Sequence, residues 1–170
     1  MEEVMKDNKE LISKVFDLGF SNEAKYGGCA QCVLYTLSEV GIPVDPAVIK
    51  AATGLAAGVA RSGNACGALT GSVMAISGIA GRGKDEMDDI PLSGKCVDIC
   101  RKVIDRFMKE YGSCNCRDIQ YAIMGASFRM YDAEDRARFL EAGGHDDKCT
   151  GVVGRAAGWV IEILEEEGLL

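Results

Sequence analysis

The chain has 170 residues, 48% of them apolar and 26% charged, and a formal net charge of −7. That length suffices for one domain with its own core, since chains of this size bury roughly 70% of their unfolded surface. The composition excludes a disordered or fibrous chain, and an acidic balance without runs of lysine or arginine argues against a nucleic-acid partner.

The opening MEEVMKDNKELISKVFDLGF has acidic residues where a secretory signal needs a basic end. Its Val4, Leu11, Ile12, Val15 and Leu18 recur at near-helical spacing, with Gly19 as the expected stop. CAQCVLYTLSEVG predicts a second helix with Cys29, Cys32, Val33, Leu37 and Val40 on one face, ending at Gly41. Asp45 as N-cap and Pro46 behind it predict a third helix running to about Ala57.

After the loop GVARSGNACG, a fourth helix sets Gly67, Gly71, Ala75 and Gly78 three or four residues apart, a smooth face against which another backbone can lie. Each of those glycines costs a helix about 1 kcal/mol against alanine, so their repetition points to tight contact or a bound group, and this helix is expected to be central. The mildly apolar stretch 68–80 is too short and glycine-rich for a membrane span, which needs about 20 apolar residues. A cytoplasmic protein without a membrane partner is expected.

GRGKDEMDDIPLSG, broken by Pro91, reads as a surface loop. The next helix places Val97, Cys100, Ile104, Phe107, Met108 and Tyr111 on one stripe and stops at Gly112. Ser113 is the expected cap of a helix through CRDIQYAIMG, Asp132 that of AEDRARFLEAGG, and the last helix begins near Cys149 and buries Trp159. No run alternates in the manner of a strand. The reading is an all-α, single-domain bundle of about seven or eight helices.

Eight cysteines are many for a chain long enough not to need disulfide staples, and point to metal binding or thiol chemistry. Cys29, Cys66, Cys116 and Cys149 each lie within a turn of a predicted helix start, where unpaired N–H groups are expected to favour a thiolate and lower its pKa. Coming from four chain regions, they can meet only through the tertiary fold. Soft thiolates suit zinc, Cu(I) and iron–sulfur clusters. The close pairs Cys29/Cys32 and Cys114/Cys116 match structural zinc poorly, the second being too tight. An anionic cluster would be served by helix N-termini and glycine-exposed amides, which accounts for the glycines as well. Gly67 and the GVARSG loop are expected to supply N–H groups to the sulfurs, and Arg61 to offset cluster charge.

CAQCV lacks the βαβ context of a thioredoxin motif and the histidine of a c-type haem site. Cys32 and Cys100 read as core, although Cys96 and Cys100 share a helix face and could bind a metal or pair. The single histidine, His145, could donate to a sulfur or ligate a metal; its simplest reading is a solvated loop residue.

GGCAQ, GLAAGVARSGNACGALTG, YGSCNCRDI and KCTGVVGRAAGWVIEIL resemble, in order, segments of the redox-active family labelled C_GCAxxG_C_C. The resemblance covers about residues 25–165 and leaves 1–24 as an N-terminal helix on a single domain. It implies that Cys29, Cys66, Cys116 and Cys149 are the family's cysteines, with Gly67 and Gly71 from its central element, and leaves open which of Cys114 and Cys116 faces the site. A related domain of split-Soret cytochromes looks like the carrier of a 2Fe-2S cluster, so the resemblance implies such a cluster and a redox partner protein. The chain has no haem-binding sequence. Two alternatives stand: a thiol–disulfide protein with Cys66 as reactive thiolate, and a non-catalytic zinc-binding or interaction module. The oligomeric state is open, a homodimer included.

Overall fold

A computed structural model describes residues 2–170, with side chains from residue 9 onward. Val4, expected on the first apolar stripe, lies outside the described side chains. Among the described residues there are eight α-helices: α1 (Glu2–Tyr26), α2 (Cys29–Glu39), α3 (Pro46–Ala51), α4 (Gly67–Ala80), α5 (Ile90–Tyr111), α6 (Cys116–Met124), α7 (Ala133–Glu141) and α8 (Cys149–Glu166). No strand occurs among them; one isolated antiparallel bridge pairs Ala65 with Asn115.

α8 is the most enclosed element, packed by α1, α2, α4 and α5, with Val152, Val153, Ala156, Val160, Ile161 and Leu164 buried along it. It shares the central place expected of α4. Burying side chains such as Leu34, Leu37, Ile76, Phe107 and Ile161 contributes about 1.5–3 kcal/mol each, before the entropy of ordering them is counted.

Gly19 does not stop α1, which continues to Tyr26. It is the point where α1 crosses α8: a Cβ there would come within 3.0 Å of Gly154 Cα, so only glycines let the two backbones approach so closely. The turn into α2 falls instead at Gly27 and Gly28, at φ 63° and 91°.

α3 is shorter than expected. It is capped by Asp45, whose carboxylate accepts the Ala47 N–H at 2.7 Å, but gives way at Ala52 to a 3₁₀ turn. Pro91 opens α5 rather than breaking the chain: it sits in the first turn, where its missing N–H costs nothing, and Asp89 caps the helix by accepting the Leu92 N–H at 2.8 Å. The buried stripe of α5 runs through Cys96, Ile99, Cys100, Val103 and Phe107, while Val97 and Met108 face outward. Asn115, not Ser113, occupies the N-cap of α6; the Ser113 hydroxyl accepts the Asn115 N–H instead. Asp132 caps α7 as expected, accepting the Asp135 N–H at 2.9 Å. Trp159 is half-buried, edge-on to Phe107.

A second, smaller apolar cluster of Phe128, Met130 and Phe139 packs against Ala57 and Cys149 and covers one end of the bundle. The space between the two clusters is the site.

Candidate functional site

Four cysteines start four helices. Cys29, Cys116 and Cys149 are the first residues of α2, α6 and α8, and Cys66 is the N-cap of α4. All four line one cavity of about 200 Å³, together with Glu23, Arg61, Gln120, Arg136 and His145.

The backbone explains the convergence. Residues 63–66 and 114–117 run antiparallel for one short ladder: Cys66 N–H donates to Cys114 O at 2.9 Å, Cys116 N–H to Asn64 O at 2.6 Å, and Arg117 N–H to Gly63 O at 3.1 Å. This ladder sets Cys66 and Cys116 side by side. Cys114 turns the other way, toward the carbonyl of Ile104 and outside the cavity. Cys149 is delivered by a π-helical turn, Gly144–Lys148, a departure from regular helix often found at functional sites.

Residues Ala57–Arg61 all have positive φ, between 51° and 75°, and form one turn of left-handed helix. Its amides are satisfied by Leu55, Gly54 and Ala56, with Ala60 N–H donating to Gly54 O at 2.7 Å. For residues other than glycine this conformation costs about 1–2 kcal/mol each, so the packing around it must hold it in place. What it provides is the amide of Ala57, which with that of Ala30 faces the Cys29 sulfur and favours its thiolate. The amides of Ala68 and Leu69, in the first turn of α4, do the same for Cys66. Gln120, fully buried, accepts the Phe128 N–H at 2.9 Å through its carbonyl and donates its amide to the Cys116 sulfur at 3.5 Å.

Gly67 serves here by its lack of a side chain. A Cβ there would collide with Cys29 Sγ, and one on Gly71 would stand 2.6 Å from Ala30 O, so the two glycines let α4 lie directly on the start of α2. Gly78, on the same predicted face, has open space around it.

Burial overrides the helix N-termini. The thiols of Cys66 and Cys116 are pushed up to about 12, and those of Cys29 and Cys149 well above the ordinary range. Desolvation is the largest cause in each, and the other thiols of the cavity and the Glu23 carboxyl add to it. The expectation of low-pKa thiolates thus fails for the metal-free chain: backbone amides at Cys29 and Cys66 and the Gln120 carboxamide at Cys116 lower the values by less than removal from water raises them, and for Cys149 burial and the neighbouring charges all act upward.

His145 is not a solvated loop histidine. It lines the cavity, stands edge-on to Phe139 at 5.3 Å between ring centres, and brings Nε2 to 3.6 Å from a carboxyl oxygen of Glu23. Of the remaining cysteines, Cys32 donates to Gly27 O at 3.2 Å behind the cavity wall. Cys96 and Cys100 lie between α4 and α5 around the Ser77 hydroxyl, away from the cavity. Glu23, Gln120 and Arg136 escaped the sequence reading. Gln120 carries a usable signal, sitting four residues after Cys116 and hence above it on one helix face. Glu23 was hidden by ending the first helix at Gly19.

Among the described residues, no three cysteine, histidine, aspartate or glutamate side chains stand close enough together to hold a single metal ion. The four sulfurs surround a space instead of meeting at a point. Such a donor set, soft and anionic when deprotonated, with amides aimed at two sulfurs, a carboxamide at a third and two arginines among the lining residues, fits a polynuclear group better than one ion.

Fold and site together define a class: an all-α domain built around a four-thiol cavity. Residues 28–163 match the family described as "Putative redox-active protein (C_GCAxxG_C_C)", and the chain belongs to it. No curated protein and no solved structure matches. No helix among the described residues is long and apolar enough to cross a membrane.

Proposed function

We propose that this redox-active protein works by one-electron transfer or redox sensing through an iron–sulfur cluster of the 2Fe-2S type, held by Cys29, Cys66, Cys116 and Cys149. The observation that carries the reading is the convergence of these four thiols, each at a helix N-terminus, on one cavity of about 200 Å³.

When bound, such a cluster supplies a one-electron couple whose potential follows net charge, hydrogen bonds to sulfur and solvent exposure. The chain's own groups address each of these. Amides of Ala30 and Ala57 serve Cys29, those of Ala68 and Leu69 serve Cys66, and the Gln120 carboxamide serves Cys116. Arg61 and Arg136 offset negative charge from the cavity wall, and Ile119, Met130, Phe139, Val152 and Val153 keep water away from the sulfurs. Each thiol must lose its proton to ligate, so loading is favoured by rising pH.

The attacking-thiolate alternative asks for one cysteine of depressed pKa, and burial pushes Cys66 in the opposite direction. A single zinc ion asks for ligands gathered at a point. Neither has an observation in its favour.

The test is a set of serine substitutions in protein reconstituted anaerobically with iron and sulfide. Cys29→Ser, Cys66→Ser, Cys116→Ser and Cys149→Ser should each lose the visible absorption of the cluster or shift it, while Cys114→Ser keeps it. An unchanged spectrum in Cys66→Ser or Cys116→Ser would count decisively against the reading.

A further inference from the structure

The cavity wall contains one carboxyl group. Glu23, near the end of α1, is 2% exposed; its Oε2 has no hydrogen-bond partner, and its Oε1 lies 3.6 Å from His145 Nε2. A carboxyl left with an unpaired oxygen in a buried wall is costly as an anion, and structures avoid such groups unless they are used.

The groups facing it are Cys29 and Cys32 from α2, Cys66 from α4, Cys116 from α6, Cys149 from α8 and His145 from the π turn, with Arg61 and Arg136 elsewhere in the wall. His145 links the acid to the outside. Its side chain is 35% exposed, and its ring is wedged between Phe139 and Gly27, where a Cβ would stand only 3.1 Å from the imidazole. Gly27 thus leaves the room that lets the imidazole reach inward to the acid while its far side meets water.

An electron entering this cavity adds a negative charge in low-dielectric surroundings, where charges interact far more strongly than in water. We propose that Glu23 is the proton acceptor of the redox site and His145 its route to solvent, so that each electron gained is accompanied by one proton. The proposal rests on the cluster reading of the four cysteines. In the balanced step, an external one-electron donor gives up one electron to the site. A proton passes from solvent through the imidazole to the Glu23 carboxylate, forming one O–H bond, and His145 regains its proton from water; oxidation reverses both transfers. In the metal-free chain burial pushes this carboxyl up to about 7, against a smaller lowering by the Cys32 thiol.

The full chain, reconstituted with iron and sulfide, is titrated with dithionite and mediators at several pH values. One proton per electron lowers the midpoint potential by about 59 mV per pH unit above the oxidised-state pKa of the acid and below the reduced-state one. Wild type should show that slope near neutral pH and Glu23→Gln should not, while His145→Gln keeps the slope but equilibrates more slowly after a pH jump. A pH-independent wild-type potential overturns the proposal and leaves the cluster standing, as does a slope that survives in Glu23→Gln. A protein that takes up no iron contradicts the cluster reading instead. In that case carbon NMR of the Glu23 carboxyl in metal-free protein decides the acid–imidazole pair. Titration near neutrality that moves in His145→Gln supports it, and titration at the ordinary carboxylate value overturns it.

Discussion

Replacing Glu23 by glutamine should change how the stability of the metal-free protein depends on pH. Burial raises this carboxyl from its ordinary 4.5 to about 7, with the Cys32 thiol opposing the shift only in part. Between those values the folded chain holds a proton that the unfolded chain has released, so stability falls as pH rises through the window. The contribution is fully present below the unfolded value and lost above the folded one. At about 1.36 kcal/mol per pH unit, the difference between 4.5 and about 7 amounts to about 3 kcal/mol. Glutamine cannot ionise and should lose none of it. Urea unfolding of reduced, chelator-treated protein at about pH 5 and pH 8 measures the change, and the stability of Glu23→Gln relative to wild type should rise by about 2.5 kcal/mol across that range, because part of the loss has already occurred at pH 5. Burial lowers the pKa of His145, which acts in the opposite sense at the acid end, and the thiols of Cys66 and Cys116 titrate at about 12. The thiols stay protonated across this range in both proteins, and the part of the His145 shift set by its burial is common to both. Parallel curves for the two proteins would refute the reasoning.

Gly67→Ala should destabilise the fold by about 1–3 kcal/mol through its clash with Cys29 Sγ, against the gain of about 1 kcal/mol that alanine usually brings to a helix. Gly78→Ala, made where space is open, should show that gain, and urea midpoints of the pair check both. Val59→Gly should stabilise by about 1 kcal/mol, because valine at φ 62° is strained and its side chain is 40% exposed, with little packing to lose. A lower thermal midpoint in that variant would contradict the left-handed turn. Iodoacetamide should label Cys66 and Cys116 of the folded, reduced, metal-free chain at neutral pH about a thousandfold more slowly than an ordinary thiol, since each holds its proton up to about 12. A rapid single-site reaction at Cys66 would contradict the burial described for it.

The elements legible in the sequence are those with local causes. Asp45, Asp132, Gly41, Gly112 and Gly143 mark helix ends by capping chemistry or by a left-handed φ that glycine permits, and each does so in the fold. Gly19 misleads because a glycine required by a neighbouring backbone looks like one that ends a helix; Gly154, its partner across α8, lies far away in sequence. Pro91 misleads in the same way, since it opens a helix as readily as it breaks one. Within the candidate site, the four cysteines and the pairing of Gly67 with a close approach could be read from helix starts and spacing. Glu23 and Arg136 could not, because only tertiary packing brings α1 and α7 to the same cavity, and His145, although a candidate from its place near Cys149, gave no sign of its burial there. The thiol pKa values reversed for a related reason: a helix N-terminus is visible in sequence, whereas depth of burial is not.

The most direct test of the four-cysteine cluster is a count of iron, zinc and acid-labile sulfide per chain in protein purified anaerobically, alongside its visible spectrum. The account predicts brown protein with about two irons and two sulfides per chain, as a 2Fe-2S centre requires. Colourless protein that stays iron-free after reconstitution, or that carries stoichiometric zinc without sulfide, would contradict it.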